Sequence, residues 1–261
     1  MAYAKINSVT NANMAKVSSA AKAALGKIGS IDAPSAGFAD SYSILLDGTD
    51  DHITIDGAGA VISGDTGSIS IWFQLDLYLH TTTLFSARID GVGAPTDNSL
   101  WILHHGGTNQ LRFLHKGGGT ETTIYTTTVV EENGWHHLVC TWDTSENQSA
   151  LYLDGSSEVT GAAAAFTSDE FDALDFGKRR GWAWEQWPGN MNDIAFFNDA
   201  LTSGEVSTMY NSGTPKDESS HSGLIGYWKM EENTGTSVAD SSSNSNAATL
   251  VNGASFASDT P

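Results

Sequence analysis

Short runs of alternating hydrophobic and polar residues, separated by turn-forming residues, recur along most of the chain. In the run 68–73 (Ser-Ile-Ser-Ile-Trp-Phe), successive side chains fall on opposite faces of a strand. The stretch 135–155 has two β-rich runs around the turn-forming segment 143–149, and it ends in the tight-turn pair Asp154-Gly155. This arrangement is typical of an antiparallel hairpin. The pattern therefore predicts an all-β chain.

Further strands and one helix follow from the same reading. The segment 47–51, Asp-Gly-Thr-Asp-Asp, lies between the apolar runs 43–46 and 52–55, which predicts a second hairpin. The segment 203–211 has the apolar spacing of a short helix. Other predicted strands lie at 83–85, 100–103, 110–114, 121–130, 172–176, 191–197, 224–228 and 248–251. We predict a two-sheet antiparallel β-sandwich.

Composition agrees with one large β domain. The chain has 261 residues, 27 glycines, five prolines and eight tryptophans. The single cysteine, Cys140, lies in an apolar run, so we expect a small buried hydrophobe and no intrachain disulfide. No stretch approaches the ~20 apolar residues of a membrane helix, and the N-terminal segment lacks the apolar block of a signal peptide. These features predict synthesis in a cytoplasm without membrane insertion.

Charge is distributed unevenly. Four of the twelve basic residues precede the first acidic residue, Asp32. The rest of the chain has eight basic against 31 acidic residues, a net charge of −23. Such a body should repel nucleic acid and anionic lipid. The basic N-terminal segment can instead dock on an acidic protein surface.

The N-terminal segment repeats. The units 4–8, 15–19 and 26–30 are similar and recur every 11 residues. An 11-residue period can form a continuous helical stripe, whereas the small residues after each Ile or Val favour interrupted structure. We therefore predict an extended or partly helical arm and linker over residues 1–41, ahead of a domain at 42–261. Short units cannot bury a core alone, so we expect the arm to bind partners through Lys5, Ile6, Lys16, Val17, Lys27 and Ile28.

Several segments, in order, resemble the laminin-G-like, concanavalin-A-like jelly rolls, particularly their pentraxin-like branch. The resemblance covers about residues 42–212 and implies a lectin-like jelly roll. The segments are 44–53, 67–72, 134–139, 151–155, 189–197 and 200–206.

The last segments resemble the opening of such a domain. They lie at 226–233, 238–242 and 248–253. A second domain would have only about 35 residues, too few for a core. We favour a circular permutation, in which the strands of 224–261 pair beside the strand that starts near Ser43.

The arm is more loosely similar to the N-terminal segments of tailed-bacteriophage virion proteins. This resemblance implies a non-enzymatic capsid decoration or fibre protein, assembled in a host cytoplasm and displayed on the virion surface. It would bind other virion proteins through its arm and host-surface carbohydrate through its head, as a homo-oligomer, with a trimer favoured. The alternatives are a free carbohydrate-binding module and a degenerate glycoside hydrolase.

The residues give little support for catalysis. Glucanases of this resemblance use Glu-x-Asp-x-x-Glu on one strand, with two carboxylates about 5 Å apart. The nearest run here has Glu170, Asp172 and Asp175, so its last carboxylate is one methylene short. The nucleophile and zinc motifs Gly-x-Ser-x-Gly and His-Glu-x-x-His are missing from the sequence. The pairs His104-His105 and His136-His137 point to alternate faces of a strand. We predict a protein without catalytic residues.

The resemblance also implies a structural calcium ion where the late Asp-bearing strand meets the first hairpin. The matching positions are Asp193, Asp47 and Gly48, with Asp240 as a further position. Carboxylate and carbonyl oxygens are the ligands that calcium prefers. The alternative is that Asp47 and Asp240 are turn residues that bond their own backbone.

The segment 179–187 is the predicted ligand-binding loop. It has three indoles within six residues next to two arginines, and exposed aromatic rings beside arginine can stack on sugars or on a partner protein. The alternative is a loop that folds over the core. The predicted ligand-binding residues are Arg179, Arg180, Trp182, Trp184 and Trp187.

Overall fold

A computed structural model describes residues 38–56, 62, 65–76, 80–88, 99–165, 171, 173–179 and 184–261. The chain divides into two compact units, Met1–Gly37 and Phe38–Pro261, and all described residues belong to the second. The predicted partner-binding positions of the arm, Lys5 to Ile28, lie outside the described residues.

The described residues form sixteen strands and one helix, α1 (Ser203–Tyr210). Sheet A contains β1 (Ser43–Asp47), β3 (Thr66–Gln74), β8 (Trp135–Asp143), β9 (Gln148–Leu153), β10 (Ser156–Gly161), β12 (Pro188–Phe197), β13 (Leu224–Trp228) and β16 (Ser255–Ala257). Sheet B contains β2 (His52–Asp56), β4 (Thr82–Arg88), β5 (Ser99–His105), β6 (Gln110–Gly117), β7 (Thr120–Tyr125), β11 (Ala173–Phe176), β14 (Ser237–Val238) and β15 (Ala248–Val251).

Both sheets are antiparallel, which confirms the predicted β-sandwich. The strand order is β10-β9-β8-β3-β12-β1-β16 in sheet A, where β13 also pairs with β12. The order is β14-β15-β2-β11-β4-β5-β6-β7 in sheet B. No described helix is both long enough and apolar enough to cross a bilayer.

Alternation builds the core between the sheets, as strands β3 and β8 illustrate. Ile69, Ile71 and Phe73 of β3 are fully buried in the core cluster. Their ladder partners on β8 include Cys140 opposite Ile69 and Leu138 opposite Ile71. Residues directly opposite each other share a face of the sheet. Cys140 is therefore a buried core residue, as predicted.

Aromatic rings join the two layers. Phe196 of β12 lies 5.7 Å from Phe85, 6.1 Å from Phe176 and 5.9 Å from Trp228, measured between ring centroids. Phe85 and Phe176 belong to sheet B, whereas Trp228 belongs to the late strand β13 of sheet A. One side chain thus links both sheets and the C-terminal part of the chain.

The hairpin predicted at 43–55 is wrong, whereas the hairpin at 135–155 is confirmed by the β8–β9 ladder. Strand β1 pairs with β12 and β16, and strand β2 pairs with β11 and β15. Leu46 and Ile53 are both buried in the interlayer core. The turn 47–51 therefore carries the chain from one layer to the other instead of joining neighbouring strands.

The C-terminal strands enter both sheets. Phe256 of β16 lies opposite Ile44 of β1, and Trp228 of β13 lies opposite Ile194 of β12. In sheet B, β15 pairs with β2.

Helix α1 covers the face of sheet A that is turned away from sheet B. A capping box between Thr202 and Glu205 starts the helix, and Asn211 in the left-handed conformation ends it. Val206 and Met209 are buried and belong to a cluster that includes Phe197 and Tyr227. The helix predicted at 203–211 is confirmed.

Replacing Phe196 with alanine should destabilise the whole domain, because the ring contacts both layers. We expect a loss of about 3–5 kcal/mol in the free energy of unfolding, measured by urea denaturation. The matched control is Leu45→Ala, since Leu45 is 40% exposed and should change stability by about 0.5 kcal/mol. Equal losses in the two variants would contradict this description of the core.

Candidate functional site

Lys178, Arg179 and Glu185 of the β11–β12 connection lie on the face of sheet B that is turned away from sheet A, which we call the outer face. The Ser86 hydroxyl donates to the carbonyl of Lys178 at 2.8 Å. The backbone N–H of Thr83 donates to the carbonyl of Glu185 at 3.0 Å. These contacts fix both ends of the connection on strand β4.

A stacked cation lies at one end of this connection. The guanidinium carbon of Arg179 is 4.0 Å from the centroid of the Trp101 ring. Its Nη1 donates to Glu185 Oε2 at 3.0 Å, and both side chains are mostly buried. Stacking and a charge-assisted hydrogen bond together hold Arg179 and Glu185 in one orientation.

The neighbouring Trp184 is 80% exposed. A tryptophan so open to solvent is unusual, because the indole is a large apolar surface. Its neighbour Glu185 is anchored to strand β4 and to Arg179. Trp184 therefore presents an apolar ring at the edge of a fixed charged pair.

Trp187 was predicted to bind ligand, and this assignment is corrected. Its ring is fully buried and lies 5.6 Å from Phe73 in an edge-on arrangement. Its Nε1–H donates to the carbonyl of Gln74 at 3.1 Å. The residue directly precedes β12, so the chain has already returned to the core at this point. The alternative of a loop that folds over the core thus holds for Trp187, whereas Trp184 is exposed.

The other predicted ligand-binding positions, Arg180 and Trp182, lie outside the described residues. Glu170 and Asp172, from the run compared with the glucanase motif, also lie outside the described residues. Asp175 is buried in β11, opposite Thr54 and Ser86 on the two neighbouring strands.

The predicted meeting of Asp193 with the Asp47–Gly48 turn does not occur. Asp47 lies opposite Pro188 at the start of β12. Asp193 lies five residues further along the same strand, about 17 Å away at the rise of a β-strand. The antiparallel register separates the two positions, so the assignment of these residues to one calcium site is corrected.

The Asp47 turn satisfies its own backbone, as the turn alternative requires. Asp47 Oδ1 accepts from the N–H of Thr49 at 2.7 Å, and Gly48 has a positive φ of 72°. Asp51 accepts from the N–H groups of Asp47 and Gly253 at 3.2 and 2.6 Å. The carboxylates of Asp47, Asp50 and Asp51 have oxygens within 4.8 Å of one another.

Asp240 is also a turn residue. Its carboxylate accepts from the backbone N–H groups of Tyr227 at 2.9 Å, Ser242 at 2.8 Å and Asn246 at 2.9 Å. These three bonds tie the 240–246 loop to strand β13.

Asp193 lies in a different and unusual environment. The ladder between β12 and β3 shifts register after Asn192, and Asp193 has a positive φ of 49° at this bulge. Its side chain is buried, and Oδ1 accepts no hydrogen bond. Burial raises the pKa of Asp193 well above its usual range, and a hydrogen bond with Tyr227 offsets this only in part. A buried carboxylate oxygen without a hydrogen bond calls for a physical explanation.

A second carboxylate lies beside Asp193. Asp40 accepts a hydrogen bond from Asn192 Nδ2 at 2.5 Å, and its burial raises its pKa to about 6. The charge of Asp40 further raises the pKa of Asp193. Two neighbouring carboxylates with raised pKa values form a place where positive charge would stabilise the fold.

The buried histidines are structural. His137 Nε2 lies 2.8 Å from the Ser70 hydroxyl, and the ring stacks on Trp72 at 4.8 Å. Burial lowers the pKa of His137 to about 4, so the ring is neutral at physiological pH. Burial also lowers the pKa of His104 to about 4.

A family model described as the concanavalin A-like lectin/glucanases superfamily, Laminin_G_3, matches residues 47–207. The chain belongs to this family. No curated protein sequence matches the chain. The concanavalin A-like fold is shared with solved structures at sequence identities too low to show more than the fold.

Three solved structures illustrate the similarity. A protein from Bacteroides ovatus, for which carbohydrate binding is proposed, has a TM-score of 0.60 and 15% identity; the match covers 84% of this chain and 60% of that one. The heptameric SAP-like pentraxin of Limulus polyphemus has a TM-score of 0.57 and 15% identity, covering 81% and 94%. The sialidase CBM40 of Ruminococcus gnavus, bound to α2,3 sialyllactose, has a TM-score of 0.54 and 16% identity, covering 64% and 96%.

Sequence reasoning missed three residues of this concanavalin A-like domain. Trp101 follows a strand pattern that does not distinguish a core ring from one stacked under Arg179. Asp40 lies in the segment assigned to the linker. Asp51 lies in the turn assigned to a hairpin. A partner that is distant in the sequence defines each role, and the local pattern has no signal for it.

Proposed function

We propose that this concanavalin A-like domain is a non-enzymatic glycan-binding module displayed on a virion. The single observation that carries the glycan proposal is the exposed ring of Trp184 beside the fixed Arg179–Glu185 pair.

The chemistry of this surface suits a sugar. An exposed indole offers an apolar face on which a sugar ring can stack. Charged groups next to it can bond sugar hydroxyls, and Arg179 is already held against Trp101. Because Arg179 and Glu185 are held in one orientation before binding, less entropy is lost on association.

Similar folds also support a carbohydrate ligand. The Ruminococcus gnavus domain is bound to sialyllactose, and carbohydrate binding is proposed for the Bacteroides ovatus protein. The runner-up is a free carbohydrate-binding module, which would bind glycan without attaching to a particle.

Replacing Trp184 with alanine should remove glycan binding without unfolding the domain, because its ring is exposed. We expect binding on a glycan array to fall by at least about tenfold, the loss of one stacking contact of 1.4 kcal/mol or more. The control is Leu45→Ala, an exposed apolar residue of sheet A. Array binding that is the same for wild type and Trp184→Ala would refute this site.

The virion role is supported by the arm. Three basic units spaced by 11 residues precede an acidic body, and such units need neighbours to become ordered. We propose that they bind other virion proteins, and that the heads assemble as a homo-oligomer, with a trimer favoured.

Deleting residues 1–37 should abolish attachment to the particle and leave the head folded. The deletion keeps Ser41 and Tyr42, whose N–H groups donate to Glu231 at 2.8 and 3.1 Å. Attachment is measured by co-sedimentation with particles that lack the protein, and folding by thermal denaturation. A truncated head that still co-sediments would show that the arm is not the anchor.

We further propose that Asp193 and Asp40 hold a structural calcium ion. The buried Asp193 Oδ1 without a hydrogen bond and the neighbouring Asp40 carboxylate fit a hard cation that prefers oxygen ligands. The ion would neutralise two carboxylates whose ionised forms are disfavoured by burial.

Calcium should reverse the pH dependence of stability. In EDTA the folded state holds protons on Asp40 more tightly than the unfolded chain does, so stability should fall as pH rises from 4 through the folded pKa of about 6. Calcium at about 100 times its Kd should restore about 2.7 kcal/mol at pH 7.5, where the carboxylates are ionised.

The measurement is thermal denaturation at pH 5 and pH 7.5, with EDTA and with calcium. Asp193→Asn should remove the calcium response, and the control Asp47→Asn should keep it. A calcium response that persists in Asp193→Asn, or none in the wild type at pH 7.5, would overturn the proposal.

A further inference from the structure

A cavity of about 320 Å³ lies between helix α1 and the segment that follows it, on the sheet A side of the sandwich. The helix contributes Glu205 and Met209, and the following segment contributes Lys216, Glu218 and His221. At about 30 Å³ per water molecule, the cavity has room for a ligand of roughly ten heavy atoms. It is separate from the Trp184 surface, which belongs to sheet B.

Glu218 is a buried carboxylate with one oxygen that lacks a hydrogen-bond donor. The residue is 7% exposed, and its Oε1 accepts no hydrogen bond. The Lys216 ammonium stops 3.7 Å from Oε1, beyond hydrogen-bond distance. Burial accordingly raises the pKa of Glu218. A buried carboxylate normally has a hydrogen-bonded cation, and here that position is only partly filled.

Glu205 offers a second, pre-oriented carboxylate. Its Oε2 accepts from the backbone N–H and the hydroxyl of Thr202, at 2.8 and 2.7 Å. The capping box thereby fixes the side chain. Its Oε1 faces His221 Nε2 at 3.9 Å, too far for a direct hydrogen bond.

The state of His221 argues against a transition metal. The backbone N–H of Gly223 donates to His221 Nδ1 at 3.2 Å, so the proton of the neutral ring lies on Nε2. A metal needs the Nε2 lone pair, which this tautomer does not offer. The carboxylates of Glu205 and Glu218 instead suit a ligand that donates N–H groups, and Met209 offers an apolar wall.

We propose that this cavity binds a primary ammonium group on an aliphatic chain, which takes the place of the Lys216 ammonium beside Glu218. The ammonium bonds the two carboxylates, and the methylene groups lie against Met209. Lys216 is then a built-in competitor for the same carboxylate.

The test is titration of the full chain with n-butylammonium at low ionic strength, followed by amide NMR, with n-butanol as the neutral isostere. We expect saturable shifts in the segment 216–223 for the amine and at least about tenfold weaker binding of the alcohol, since hydrogen bonds to charged groups are the stronger ones. Equal binding of amine and alcohol, or no saturable shift, would overturn the proposal.

Two variants should move affinity in opposite directions. Glu218→Gln should raise the Kd for n-butylammonium about tenfold, and Lys216→Met should lower it severalfold. Thermal denaturation checks that both variants fold. If Glu218→Gln does not fold, Lys216→Met still tests the proposal, because the Lys216 side chain is 40% exposed. A Lys216→Met variant that binds no more tightly than wild type would contradict the competition.

Two further probes distinguish the sources of such a group. Nα-acetyl-lysinamide represents a lysine side chain of a partner protein, and spermidine represents a free polyamine. Saturable binding of either one at 216–223 supports the proposal and identifies the source. Failure of both would overturn it. Because the Trp184 surface is not involved, glycan-array results leave this conclusion unchanged.

Discussion

Strand β12 is the constraint on which the rest of the sandwich depends. One edge pairs with β3 along most of its length. The other edge is shared, since residues 188–191 pair with β1 and residues 194–197 pair with β13. The strand is buried almost throughout, and Phe196 carries its contacts to sheet B. The N-terminal and C-terminal strands of the domain therefore meet on one shared ladder.

The change of partner along β12 explains where polar chemistry collects. At the bulge between the two partners, Asp193 turns into a buried position, and Asp40 reaches the same place through Asn192. Just before β12 come Arg179, on the outer face of sheet B, and the exposed Trp184. Just after it comes α1 with the Glu205 carboxylate. Each of the three surfaces proposed to bind a ligand or ion thus lies on β12 or on a segment that flanks it in the chain.

Sequence patterns predicted the layers but not the contacts between them. The alternation of apolar and polar residues in β3 and β8 is enough to predict a sandwich, because it shows which side of each strand is buried without reference to distant residues. The turn 47–51 led to a wrong hairpin prediction, since the same turn-forming residue types occur in a hairpin and in a crossover between layers. Trp184 and Trp187 look alike in the sequence, and their exposure differs because only Trp187 has reached the core at the start of β12. The resemblance points to Asp193, but its closeness to Asp40 depends on a contact between distant segments of the chain, which no local pattern encodes.

In the proposed function, the connection entering β12 is the recognition surface, while β12 itself is a fixed support. Hydrogen–deuterium exchange of the intact chain, with and without the strongest glycan from the array, tests it most directly. We expect slower exchange at 178–187 on glycan addition and no change in the amides of 191–197. Protection that appears elsewhere and leaves 178–187 unchanged would contradict it.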